Sequence, residues 1–483
     1  MLLASSISKS YRDLIFPILV LVSVIVGICT AELLWIALPL GLLFIWLSIE
    51  RVHWIYFILL AVIPFSTEME LTGGFSTDFP DEPLMWWLFL LGVLLVISRW
   101  QLVKPILKEP ITWILALHFC WIFVTCLGSE SFFISLKYWI AKSWYLMVFY
   151  ILPFILLKNE NRWKLFAWVS LAAASCTVFI IEARHSSSGF AFTEINKVVR
   201  PFYRNHVNYA CLLVCIFPYL YPLIKSSKTK IDFQKARPRG FLKALLYIIA
   251  LVLLIGITFA YTRAAYVSLV SIAGTYFIIR FKLVNVTSIL VIIIVTSSII
   301  YYNTNNHFLN LAPEYNQAIT HTDFGNLLEA TPQGKDISTM ERLYRWVAGF
   351  RMIGEKYITG FGPNNFYDSY HSYTLNQFTT YVSENKERST IHNYYLMTAV
   401  EQGIPGLMIF LTLIYFYFKT MESLWFKVRK EYKPWLLASL WSFGSILLIL
   451  IFNDMVETDK VGSYFFINIA ILVKINQLSK ADE

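Results

Sequence analysis

LVNVTSILVIIIVTSSIIY, residues 283–301, contains no charged side chain and is long enough to cross the apolar part of a bilayer as a helix. An apolar run of about 18 residues or more predicts a membrane-spanning α-helix. The whole sequence of 483 residues has a matching composition, with 57% hydrophobic and 15% charged residues, whereas soluble domains carry about 25% charged residues. Most of the chain is therefore predicted to lie away from water.

Similar runs recur along the sequence and predict an all-α polytopic membrane protein with about 14 (roughly 12–14) transmembrane helices. The predicted spans are residues 14–30, 33–49, 52–65, 84–98, 111–127, 138–157, 163–182, 207–224, 244–261, 264–279, 283–301, 393–418, 434–453 and 461–476. They divide the chain into an N-terminal bundle of about 11 helices (1–301), a large loop containing short helices (302–391) and about three C-terminal helices (392–483).

Charge predicts the orientation of these spans. The formal net charge is +9, and basic residues gather at alternate connections, most densely in 225–243. The connections between them are acidic, as in 68–82 and 454–459. Because Lys and Arg favour the cytoplasmic side, both termini are predicted to be cytoplasmic and residues 302–391 to lie outside. Since the basic residues serve as topology signals, we do not expect nucleic acid as a partner.

A few basic residues break this rule. Arg184, Arg200 and Arg204 fall in one predicted outer connection, and Arg263 falls in a very short outer turn. Basic residues are normally scarce in the outer connections, so their presence there needs another cause. An anionic ligand on that face is the interpretation that we favour.

The predicted outer loop contains a helix that begins at Ser338, where Ser338 and Glu341 have the spacing of a capping box. Arg342 and Arg345 lie three residues apart on it and can point the same way. The alternative is an amphipathic helix on the membrane surface, with its arginines at lipid head groups. The helix is expected to end near Gly354, before a turn at Gly360, Gly362 and Pro363.

The loop closes with His392 and Asn393 at the start of the next span. Within that span, Gly403, Pro405 and Gly406 predict a broken or kinked helix. Such a break is tolerated in a membrane only where the freed backbone is buried in protein or lines a wet cavity.

Several of these segments resemble the O-antigen ligase and polymerase family. The resemblance rests on ERLYRWVAGFRMIGEKYITGFGPNNF (341–366) and HNYYLMTAVEQGIPGL (392–407). Weaker similarity is found in RPFYRNHVNYACLL from Arg200 and in FAYTRAAYVSL from Phe259. The second of these departs from the family pattern, because its Ser is missing and Ala264 replaces a Gly.

The resemblance implies a metal-independent transfer of a glycan from undecaprenyl pyrophosphate to an acceptor hydroxyl, at the periplasmic face of a bacterial inner membrane. It implies that His392 activates the acceptor, and that Arg263, Arg204 or its rival Arg200, and Arg342 hold the pyrophosphate. Arg345 is a further candidate for that role. No cofactor or metal is expected. The expected partners are the lipid-linked donor, a glycan or lipid acceptor, and membrane lipids.

The chemistry of these residues agrees with that expectation. Guanidinium groups match phosphate oxygens and stay charged, and a neutral histidine accepts a proton from a sugar hydroxyl. Three alternatives remain open at this point. The first is a polymerase that uses the same donor type, the second an exporter or flippase of lipid-linked sugars, and the third a non-catalytic scaffold.

Overall fold

A computed structural model describes residues 9–30, 33–71, 75–226, 239–312, 337–380, 383–384 and 389–481. Most of the basic connection 225–243 and the stretch 313–336 of the predicted outer loop lie outside these ranges. The described part of the chain divides into two compact units, 1–59 and 60–483, which are considered separately.

Helices dominate the described residues, with one antiparallel hairpin of β1 (Thr67–Leu71) and β2 (Phe75–Phe79). The helices are α1 Lys9–Thr30, α2 Leu33–Glu50, α3 Val52–Val62, α4 Asp81–Ser98, α5 Trp100–Val103, α6 Pro110–Leu127, α7 Phe132–Leu146, α8 Leu152–Leu156, α9 Glu160–Ser186, α10 Ile195–Val198, α11 His206–Ile216, α12 Leu220–Ser226, α13 Arg239–Phe259, α14 Arg263–Arg280, α15 Val284–Asn303, α16 Ile337–Glu355, α17 Phe366–Ser369, α18 Tyr394–Lys427, α19 Lys433–Phe452 and α20 Asp459–Ala481.

The all-α polytopic architecture is confirmed, but the count of about 14 spans is not. Within the described ranges, 10 helices are long and apolar enough to cross a membrane, or up to 11 if one bent pair forms a single span. That pair is 41–50 and 52–65, which meet at 117°. Apolar length alone cannot distinguish two spans from one broken span. This explains part of the difference between the predicted and the observed number of spans.

In the larger unit, α19 and α20 form the centre, with most of their residues buried. Polar side chains join the central helices: Asn468 Nδ2 donates to Ser442 Oγ at 2.9 Å, and Tyr417 and Ser439 share a hydrogen bond of 2.8 Å. Such bonds between helices stabilise packing where apolar contact gives little driving force. The span that begins with α15 lies at the periphery and buries only 6% of its apolar window.

Connections of the larger unit gather at two ends. At the hairpin end, Glu68 pairs with Arg204 at 3.1 Å and Thr390 Oγ1 donates to Asp454 at 2.7 Å. At the opposite end, Lys480 Nζ contacts Glu109 at 2.9 Å. The loop that follows α19 and the segment that precedes α18 therefore share the hairpin end.

The predicted break in the span after His392 is confirmed at Gly403, which adopts a left-handed φ of 69°. Ile404 N donates to the Tyr357 carbonyl at 2.8 Å, and Phe361 N donates to the Val400 carbonyl at 2.9 Å. The turn that follows α16 thus supplies partners for the freed backbone of α18, as a break in a membrane helix requires. The predicted turn glycines, Gly360 and Gly362, also have positive φ values of 67° and 94°.

Candidate active site

Helix α16 extends one residue before the predicted start at Ser338 and ends at Glu355. It packs against α18 at Gly349, where an added Cβ would lie 2.5 Å from Ile391 Cδ1 and 3.4 Å from Leu396 Cδ2. A larger residue at this position would require the end of the Ile391 side chain to move. The contact brings the face of α16 with Arg345 and Trp346 to the segment just before α18.

Arg345 is buried and forms hydrogen bonds within the protein. Its Nη2 lies 3.3 Å from Glu341 Oε2, one helical turn earlier, and its Nη1 donates to the Thr390 carbonyl at 3.1 Å. Glu341 in turn accepts from the hydroxyls of Thr380, at 2.5 Å, and Ser383, at 2.8 Å. Arg345 and Glu341 therefore connect α16 to the chain that returns towards α18.

His392 is half-buried and has a left-handed φ of 55°. The residues on both sides of it are fixed: Trp346 Nε1 donates to the Ile391 carbonyl at 3.0 Å, and Asn393 Oδ1 accepts from Leu396 N at 2.9 Å. Asn393 is thus the N-cap of α18. These contacts hold His392 at the junction between the loop and the helix.

The electrostatic surroundings of His392 favour its neutral form. Burial and the positive charges of Arg342 and Arg345 lower the pKa of its imidazole to about 3. Its Nδ1 atom is buried without a hydrogen-bond partner among the residues described. Because buried polar groups are nearly always paired, this unpaired nitrogen marks His392 as a candidate functional residue.

A second group of predicted site residues lies around the start of α14. The positive charge of Arg263 acts on the His206 imidazole, and His206 Nδ1 lies 2.8 Å from Asn196 Oδ1. Arg204 is exposed and paired with Glu68. Arg200 is also exposed, and its carbonyl accepts from Arg184 at 2.8 Å. Of the basic residues that break the charge rule, Arg200 and Arg204 thus lie just before α11, Arg184 lies near the end of α9, and Arg263 is the first residue of α14.

The loop between α19 and α20 links the two groups. Its Asp454 accepts from Thr390 and interacts with the charge of Arg345. A few residues later, the Lys460 ammonium group is repelled by Arg204. The structure therefore places Arg342, Arg345 and His392 together, and Arg263, Arg204 and Arg200 in a second group at the same end.

Sequence reasoning did not identify Glu341, Thr390 or Asp454 as parts of this site. The spacing of Glu341 and Arg345 was one available signal, because residues four apart meet on a helix. Asp454 gave no local signal, since its partner Thr390 lies 64 residues away. His118, which is buried in α6, bonds the Gln402 amide oxygen at 2.9 Å, in keeping with a packing role.

A family model described as O-antigen ligase matches residues 248–411. The match includes Arg263, Arg342, Arg345 and His392, whereas Arg200 and Arg204 precede it. No match was found among curated proteins. Within the matched stretch lie the broken helix, its inserted turn and the histidine at the start of that helix. Residues 248–411 of this multi-pass membrane protein are therefore similar to the O-antigen ligase family.

Proposed function

We propose that the chain is a ligase-type enzyme that transfers a glycan from undecaprenyl pyrophosphate to an acceptor hydroxyl, without a metal ion. The family gives the coarser activity, a membrane glycosyltransferase of ligase or polymerase type that acts on lipid-linked glycans. The observation that carries the finer proposal is the neutral His392 fixed beside Arg342. This pair supplies a proton acceptor next to a permanent positive charge.

In the proposed step, the acceptor oxygen attacks the anomeric carbon of the donor sugar, and its proton passes to the His392 imidazole. The bond from that carbon to the phosphate oxygen breaks, and undecaprenyl pyrophosphate leaves with the electron pair. Arg342 and Arg263 then stabilise the charge that develops on the leaving phosphate. Arg204 supports the same phosphates, and Arg200 remains its rival.

We place the reaction on the periplasmic side of the inner membrane. The argument is the charge of the opposite end, where Lys104, Lys108, Lys158 and Arg162 flank the spans. Both termini are then cytoplasmic. This orientation gives the hairpin end access to a lipid-borne glycan whose sugar is already outside.

The rate of transfer is expected to stay nearly constant between about pH 8 and pH 5. With a pKa of about 3, His392 is neutral over this whole range. A histidine of ordinary pKa, about 6.5, would lose about 30-fold of its neutral form by pH 5. The measurement is the initial transfer rate in membrane vesicles at saturating donor and acceptor. A fall with a midpoint near about pH 6.5 would show that this imidazole is not held neutral.

Deleting the gene tests the type of reaction. Loss of a ligase is expected to leave long glycan on its lipid carrier, because the final transfer fails. Loss of a polymerase leaves single repeat units there instead. Extraction of carrier lipids and sizing of the attached glycan separate the two results. Complementation with the wild-type gene and with His392→Ala is the matched control, and an unchanged carrier pool in the deletion strain would contradict both activities.

A further inference from the structure

One face of α16 forms hydrogen bonds with four residues of the chain that returns to α18. Glu341 binds the hydroxyls of Thr380 and Ser383, Arg345 binds the Thr390 carbonyl, and Trp346 binds the Ile391 carbonyl. All these points precede His392 in the sequence. This face of α16 therefore fixes the position of the backbone just before His392.

Arg342 and Arg345 differ in their surroundings, although both carry the same charge. Arg345 has 5% of its surface exposed, and two of its terminal nitrogens already bind Glu341 and Thr390. Arg342 is half-buried, and its charge has the larger effect of the two on His392. A phosphate that bound Arg345 through its paired nitrogens would have to displace a buried carboxylate and a backbone carbonyl.

We propose that Arg345 is a positioning residue, which together with Glu341 fixes the Thr390 backbone and thereby holds His392 beside Arg342. The inference rests on the proposed function of His392. In this inference Arg342 contacts the substrate, whereas Arg345, about one helical turn later, fixes the position of the loop.

Thr390 is held from two sides. Arg345 binds its carbonyl, and the half-buried carboxylate of Asp454 accepts from its hydroxyl at 2.7 Å. Among the residues described, the charged groups around this point include Arg342, Arg345 and Glu341 on α16, and Asp454 and Glu457 on the loop after α19. Because both contacts fall two residues before His392, a shift of Thr390 moves the imidazole as well.

A lysine cannot replace Arg345 in this role. The guanidinium group reaches Glu341 and Thr390 with two different nitrogens in a fixed plane, whereas an ammonium group is a single point on a flexible stem. Arg345→Lys keeps the positive charge but loses the two nitrogens that bind Glu341 and Thr390 at the same time. The rival role for Arg345 is direct contact with the substrate through Nε, which has no hydrogen-bond partner among the residues described.

The experiment compares the kinetics of Arg345→Lys, Glu341→Gln and Arg342→Gln with those of the wild type. Misplacement of a catalytic group by about 1 Å can cost about 100-fold in rate, so Arg345→Lys is expected to lower kcat by about that factor and leave the KM for the donor unchanged. Glu341→Gln is expected to act in the same direction, and the double variant to be no worse than Arg345→Lys alone. Arg342→Gln is expected to raise the KM for the donor.

Arg351→Lys is the matched control, because Arg351 lies on the same helix and also binds backbone carbonyls, at Tyr373 and Thr374, but is exposed. It is expected to retain wild-type kinetics. Fluorescence-detected gel filtration of each variant checks its folded amount, and Glu341→Gln provides a nearly isosteric second test if Arg345→Lys accumulates poorly. Wild-type kcat in both variants, or a donor KM raised as in Arg342→Gln, would overturn the inference. Wild-type transfer by His392→Ala would instead overturn the proposed function.

Discussion

Replacing His392 with alanine is expected to lower the rate of glycan transfer by about 10²–10⁴-fold, the usual contribution of general acid–base catalysis. The imidazole is neutral because burial and two guanidinium groups lower its pKa to about 3. A base with so low a pKa is weak in water. Next to Arg342, however, the acceptor hydroxyl also becomes more acidic as it begins to attack. The measurement is the single-turnover rate in membranes that hold equal amounts of wild type and variant.

His371→Ala is the control for this prediction. His371 lies in the same segment of the chain and is exposed. Its removal is expected to leave the rate unchanged, so that a general effect of losing an imidazole is excluded. If His392→Ala transferred glycan at the wild-type rate, the proton acceptor would have to be another group, and the proposed mechanism would be wrong.

Gly403→Ala is expected to prevent accumulation of the folded protein. Gly403 has a φ of 69°, and a Cβ added there would lie 2.0 Å from the Ile358 carbonyl oxygen. With a ψ of 177°, this backbone conformation is essentially restricted to glycine, and a strained conformation of this kind costs an L-residue about 1–3 kcal/mol. The overlap with a backbone atom adds to this cost, because a backbone atom cannot move aside like the end of a side chain. A total above about 4 kcal/mol belongs to the exceptional class of substitutions.

The matched control is Gly354→Ala. Gly354 lies in α16, and an added Cβ would meet nothing within 4 Å. Alanine there is expected to stabilise the helix by about 0.5–1 kcal/mol. Both variants are compared by yield after detergent extraction and by thermal unfolding of the purified protein. A Gly403→Ala protein that melts within about 2 °C of the wild type would mean that α18 is not broken in this way.

The sequence predicted the helical architecture well because apolar length is a local property. Residues 283–301 required no tertiary information, and α15 covers that stretch. The region around Arg51 was harder, because two apolar runs separated only by Glu50 and Arg51 fit two spans or one bent span equally well. The 117° bend there depends on packing, which the hydropathy of the chain does not encode.

The site was only partly predictable, for a related reason. Short motifs predicted roles for His392 and Arg342, and in the structure the Arg342 charge acts on the His392 imidazole. The network that supports them joins Arg345 to a residue 45 positions away and Thr390 to one 64 positions away. Contacts of that range are decided by how α16, α18 and α19 pack, so no spacing in the sequence reveals them.

The ion pair between Arg204 and Glu68 has a consequence for how tightly the proposed phosphate ligand would be held. Glu68 extends from the hairpin and already partly neutralises the guanidinium group, at a position where both side chains remain accessible to solvent. In the proposed mechanism, a pyrophosphate at Arg204 would replace the Glu68 carboxylate instead of entering a vacant positive site. Its net gain in attraction would be the difference between the two ion pairs, and Glu68 would pair with Arg204 again once the carrier lipid had left.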